Sequence, residues 1–140
     1  MFPALKNAEF LRYGVMHRNT YINAPKVLNA DFSMKEHPTV FFAGQITGVE
    51  GYVESTASGL LAAINMDRKL SGKESLVLDQ NTVLGALSNY VATPNLDFQP
   101  MNANFGIIAP IEYNPRKKAE KKRLMAERAL QKIKEIKETL

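Results

Sequence analysis

The segment FFAGQITGVEGYVES, residues 41–55, constrains the fold of this chain more than any other. An unbroken apolar run, TVFFA at 39–43, ends on Gly44, followed by Gly48 and Gly51 and then by a helical pattern. β-Branched and aromatic residues without polar alternation fit a strand covered on both faces, as in a parallel sheet. Such a strand, ending on glycine and feeding a helix, sets backbone N–H groups and the positive end of the helix dipole at the carboxyl edge of the sheet. Ligands of open α/β folds bind there. The glycines allow close approach of another group, and Gln45 and Thr47 supply donors and acceptors. The spacing of Gly44, Gly48 and Gly51 matches neither the G-x-G-x-x-G pyrophosphate loop nor a P-loop, so this turn is not the primary phosphate cradle. On local pattern alone it reads equally as a ligand edge and as a turn whose glycines serve packing.

The flanking segments are mainly helical. After Gly51, Val53, Ala57, Leu60, Leu61 and Ile64 recur at helical spacing, which predicts a helix over 51–69 with that face inward. A second helix is expected over 82–92, capped by Asn81 or Thr82, with Val83, Leu84, Leu87, Tyr90 and Val91 on one face and Pro94 beyond its end. Residues 4–13 favour a helix stopped by Gly14. The stretch 14–34, interrupted by Pro25, reads as short extended pieces joined by turns, and 95–110 as loop. Over 115–140 the composition favours helix throughout, with Ala126, Ala129, Leu130, Ile133, Ile136 and Leu140 in one stripe.

At 140 residues and 45% hydrophobic content there is room for one domain with its own core. No run is long and apolar enough for a transmembrane helix, and the first residues lack a secretion-signal pattern, so a soluble, cytoplasmic chain is expected. The absence of cysteine excludes disulfides, thiolate metal sites and a thiol nucleophile within these residues; no metal set and no catalytic group is assigned. The net charge of +4 is uneven: residues 116–140 carry 10 Lys/Arg against 4 Asp/Glu, and the preceding residues 8 against 10. Lys117, Lys118, Lys121, Lys122 and Arg123 cluster within two turns. They suit nucleic-acid phosphates, with a solvated helix face as the alternative, and no aromatic is interleaved in the sequence for base stacking.

Taken together, RYGVMHRNTYINAP, FFAGQITGVEGYVESTASGLLAAIN and LDFQPMNANFGIIAP resemble the C-terminal portion of the bacterial folate- and FAD-dependent tRNA (uracil-5-)-methyltransferases, in the glucose-inhibited division protein A superfamily. The resemblance spans nearly the whole chain. It implies an α/β fragment of a Rossmann-like FAD-binding domain, comprising its last strand and flanking helix, with C-terminal helices and the end of an inserted domain. The corresponding divisions are 1–37 for the inserted domain and return segment, 38–114 for the FAD-binding part and 115–140 for the basic helix. Many flavin-binding relatives carry Gly-Asp where this chain has Gly44-Gln45. Gly44, Gln45, Ile46, Thr47, Gly48, Val49, Glu50 and Gly51 would then border FAD, with the following helix aimed at the pyrimidine edge of its ring.

In that family, reduced flavin regenerated from NAD(P)H assists transfer of a methylene group from methylenetetrahydrofolate to carbon 5 of a T-loop uridine, which must leave its stack. The related flavoproteins that carboxymethylaminomethylate the tRNA wobble uridine share FAGQ, but MHRNT and NANFG favour the T-loop branch. By resemblance, His17 stacks on folate and Arg18 meets its acidic tail; a structural histidine in a turn remains the alternative. His37 is expected at the surface. Glu50 and Glu54, one helical turn apart, read first as carboxylates favoured at a helix N-terminus and only second as an acid/base pair. The family's pyrophosphate glycines and catalytic thiols do not occur here. An inactive fragment missing an N-terminal part is therefore expected, self-associating through the edge of TVFFA, with a stand-alone RNA-binding module as the rival reading.

Overall fold

The computed structural model describes residues 3, 6–9, 11, 14, 19–112 and 117–138. Among them the order is α1 (Ala24–Val27), a 3₁₀ turn (Gly44–Thr47), α2 (Tyr52–Leu70), α3 (Val83–Ala92) and α4 (Lys118–Lys137). Proline in the first turn of α1 costs no hydrogen bond, because the N–H it lacks would have no partner in the helix. Thr82 caps α3 by accepting the Gly85 N–H at 3.0 Å, as one of the two expected caps. Leu87 and Val91 from the expected α3 face are buried beside Ala24, Leu28, Phe32 and Phe98, so one core joins α1, α2, α3 and the loops between them.

The expected parallel strand does not form. Pairing is confined, among the described residues, to isolated bridges: Leu28 with Met34 and Ser33 with Phe41, both antiparallel, and Val49 with Met101, parallel. Residues 40–42 fold back onto 32–34, with Met34 N–H to Val40 O at 2.8 Å and Phe42 N–H to Phe32 O at 3.1 Å. TVFFA is apolar enough for a central strand, but a central strand needs parallel neighbours on both sides, and the described residues supply none. The outcome is a mainly helical structure with little β pairing.

Two helix faces are rotated from the expected ones. Helix α2 buries Ser58, Leu61, Ala62 and Asn65, whereas Val53 and Leu60 are 79% and 64% exposed. Polar residues take the inner face because they are matched there. The Ser58 hydroxyl accepts the Gly44 N–H at 2.8 Å. Asn65 accepts the Leu76 N–H at 2.6 Å and donates to Leu76 O at 2.9 Å and to Asp31 O at 3.3 Å. Helix α4 docks through Met125, packed with Ala86 and Ile108, while Leu130 and Ile133 of the expected stripe are exposed. Arg128 holds α4 to the preceding loop by donating to the carbonyls of Ala109 and Pro110.

The expected helix over 4–13 is not formed by its described residues: Lys6 N–H closes a turn onto Pro3 O at 3.2 Å, and Leu11 is fully exposed. A segment that short is unstable as a helix unless one face packs. No helix among the described residues is long and apolar enough to cross a membrane.

Candidate functional site

The glycine-rich turn is a compact ledge between the 40–42 segment and α2. Gly44 and Gly48 have φ of 76° and 88°, a left-handed region in which a side chain is strained. The Thr47 hydroxyl donates to Gly44 O at 2.7 Å, closing the 3₁₀ turn, and Gly48 N–H reaches Gln45 O at 2.9 Å. Ser55 and Ser58, on the first turns of α2, hold the ledge from the other side: the Ser55 hydroxyl donates to Val49 O at 2.8 Å, and Ser58 receives the Gly44 N–H. Thr47, Gly48 and Val49 are thus buried and occupied in shaping the turn, whereas Gln45 and Ile46 are exposed on its rim.

Helix α2 begins beside that rim. Gly51 is its N-cap and provides no side-chain hydrogen bond, and Tyr52 is 88% exposed. The amides and dipole of an uncapped first turn favour an electron-rich or anionic partner. Glu54 has a structural assignment: its carboxylate accepts the Ala103 N–H at 3.1 Å. That bond agrees with a first-turn electrostatic role and engages Glu54 with the chain rather than leaving it paired with Glu50.

The loop that Glu54 holds, read from the sequence as loop and as the NANFG motif of the resemblance, runs alongside the turn. Met101 N–H donates to Gly48 O at 2.8 Å and Glu50 N–H to Met101 O at 3.1 Å, so 101 runs alongside the turn. Phe98 lies under Gly48, flanked by Tyr90 and Tyr21 at centroid distances of 5.5 and 6.1 Å. Further along, Asn104 accepts the Gly106 N–H at 2.8 Å and presents Phe105, over whose ring the Lys122 ammonium sits 5.2 Å from the centroid. The one loop therefore joins the glycine turn to the basic helix. Within that helix Arg123 is paired with Glu127 at 2.8 Å, an exposed pair of small energetic weight. Lys117, Lys118 and Lys122 are exposed and Lys121 is half-buried. His17 and Arg18 lie outside the described residues; His37 is exposed, as expected.

Residues 1–74, which include the whole turn and all of α2, match the family described as glucose inhibited division protein A. The chain belongs to this family. Within the glucose inhibited division protein A family it is similar to proteins named methylenetetrahydrofolate–tRNA-(uracil-5-)-methyltransferase TrmFO. That of Desulfitobacterium hafniense (strain Y51) is 54% identical over 138 residues, covering 98% of this chain and 32% of the relative. The Pelotomaculum thermopropionicum protein is 54% identical over 141 aligned positions, with 100% and 32% coverage. That of Natranaerobius thermophilus is 55% identical over 135 residues, with 96% and 31% coverage. The chain thus spans about a third of the length of these relatives. Their similarity extends past the family match into the 98–106 loop and α4, so the loop and basic helix belong to the same shared unit as the turn.

Proposed function

We propose that this chain is the C-terminal part of a folate- and FAD-dependent tRNA uracil-5-methyltransferase, in which the turn 44–51 forms one edge of the flavin site. The observation that carries the reading is the 54% identity, along 98% of the chain, to a relative named for that reaction. The residues present fit a flavin edge in a limited and specific way. Gln45 and Ile46 lie on an exposed rim beside the start of α2, where the Glu54 carboxylate is folded back against Gly51, while Thr47, Gly48 and Val49 keep the rim in shape. FAD, when bound, supplies reducing equivalents drawn from NAD(P)H for conversion of the transferred one-carbon unit to a methyl group. His17 and Arg18 serve the folate, and Lys117, Lys118, Lys121, Lys122 and Arg123 the tRNA backbone, in a protein that works in the cytoplasm.

The remaining two-thirds of the enzyme carries the Rossmann-like sheet beside which residues 39–43 take their place as last strand. The exposed apolar stripe of α2, Val53 and Leu60 with half-buried Ala57 and Ile64 between them, suits a face that this sheet covers. Without it the same face makes the chain self-associate. Sedimentation at increasing concentration should show oligomers that Val53→Lys with Leu60→Lys disperses; a wild-type monomer throughout contradicts this.

The reaction itself is tested in a chimera whose D. hafniense sequence is replaced by these residues over the matching region. Labelled methylenetetrahydrofolate should place its carbon in 5-methyluridine of tRNA. A folded chimera that binds tRNA without transferring label rejects the enzyme assignment in favour of an RNA-binding role.

A further inference from the structure

We infer that Phe105, with Lys122 beside it, forms a nucleobase-stacking platform on the RNA-binding face, so that the loop 102–106 takes hold of an unstacked base while the start of α4 holds the flanking phosphates. The inference rests on the proposed RNA substrate and adds to it a subsite and a mode of binding. Phe105 is 41% exposed, on a loop tied to α2 by one hydrogen bond and shaped by two of its own. Ala103 N–H is held by Glu54 at 3.1 Å, Asn104 Nδ2 donates to Asn102 O at 3.2 Å, and Gly106 N–H donates to Asn104 at 2.8 Å. An aromatic ring kept at the surface by such a frame has its apolar face available without the entropy loss of ordering a mobile loop.

Lys122 is the second half of the device. Its ammonium lies 5.2 Å from the ring centroid, and its side chain is exposed and long enough to leave the ring for a phosphate. Lys117, Lys118 and Lys121 surround it, and none of the four lysines forms an ion pair among the described residues. A π-face for a base and unpaired cations for its backbone are the two elements that single-stranded nucleic acid needs. A purely acidic protein partner would use the lysines and leave the ring without a role. The same loop continues through Met101 to the glycine turn.

The chain contains no tryptophan, which makes the test direct. Phe105→Trp keeps a stacking face and installs a single indole emitter. Titration of that variant with a short single-stranded oligouridylate should quench its indole emission in step with binding. Phe105→Ala should weaken binding by about 5- to 150-fold, the range for removal of one stacked base. Lys122→Gln should lower the slope of log affinity against log salt by about 0.7 for each single-strand phosphate that the lysine neutralises. Circular dichroism of each variant should match wild type. If wild type binds the oligonucleotide but Phe105→Ala binds equally well and the indole emission of Phe105→Trp does not move, the platform is wrong while the RNA reading stands. If wild type fails to bind even at low salt, both are overturned.

Discussion

Replacing Gly48 by alanine separates two reasons a glycine can occupy this turn, backbone conformation and close packing. A β-carbon at Gly48 would lie 2.5 Å from Phe98 Cζ, on a backbone at φ 88°. Phe98 cannot swing aside freely, since it is buried and sits between Tyr21 and Tyr90. The left-handed backbone costs an alanine roughly 1–2 kcal/mol, and displacing a packed side chain adds about 1–3 kcal/mol. Gly48→Ala should therefore destabilise the chain by about 2–5 kcal/mol. Gly44 provides the control. Its φ is 76°, but its β-carbon would meet only Ser55, at ordinary contact distances of 3.7 Å to Cβ and 4.0 Å to Oγ, so Gly44→Ala should cost roughly 1–2 kcal/mol.

The assay is urea unfolding of both variants, each also combined with Phe98→Leu. The pair 48/98 should show a coupling energy of about 1–3 kcal/mol and the pair 44/98 almost none. Equal destabilisation by the two alanines, with no coupling to Phe98, would refute the packing role of Gly48. The outcome matters for the site because Phe98 leads into the 101–106 loop; a displaced Phe98 should also pull Met101 from the turn, seen as faster amide exchange at Glu50 and Met101.

Further predictions concern the polar groups that orient α2. Asn65→Leu strands the Leu76 N–H and C=O and the Asp31 carbonyl, and should cost about 2–5 kcal/mol in urea unfolding; a loss below about 1 kcal/mol would show that water replaces the amide. Burial alone would raise the Asp31 pKa. Hydrogen bonds from the Ser33 and Ser75 hydroxyls and the Ser33 N–H together outweigh it and hold the carboxyl below its ordinary value of 3.8. A carboxyl depressed in the folded state stabilises fully above its unfolded pKa and loses that contribution as pH falls through the folded one. Asp31→Asn should accordingly destabilise the chain at neutral pH and flatten the fall in stability below pH 3.8; an unchanged acid profile contradicts the assignment.

Helices α2 and α3 were legible in the sequence because their signals are local, whereas α1 lies in a stretch read as extended pieces and turns. Thr82 before an apolar period, and Gly51 before another, locate α3 and α2 to within a residue. The direction those helices face was not legible, because it depends on distant partners. The inward hydrogen bonds of Ser58 and Asn65 have no local signal, since their partners Gly44, Leu76 and Asp31 are brought to them only by the fold. The strand expectation failed for a related reason: the apolar character of TVFFA records what a strand needs around it, not whether those neighbours lie in these 140 residues. At the site, the glycine turn and uncapped helix start were visible as spacing. The docking of NANFG against them was not, since Glu54 and Ala103, like Phe105 and Lys122, are far apart in the chain. The missing aromatic beside the basic cluster was thus supplied by the fold.

The most direct test of the account is an FAD titration of the chimera carrying these residues, with and without Gln45→Ala. Gln45 is exposed on the rim and its side chain makes no hydrogen bond to the rest of the described chain, so its removal should leave the unfolding midpoint unchanged. If the turn borders the flavin, FAD affinity should fall by about 2- to 12-fold, the loss of one neutral hydrogen bond. Equal FAD affinity in the two proteins, at equal stability, would contradict the placement of the cofactor at this turn.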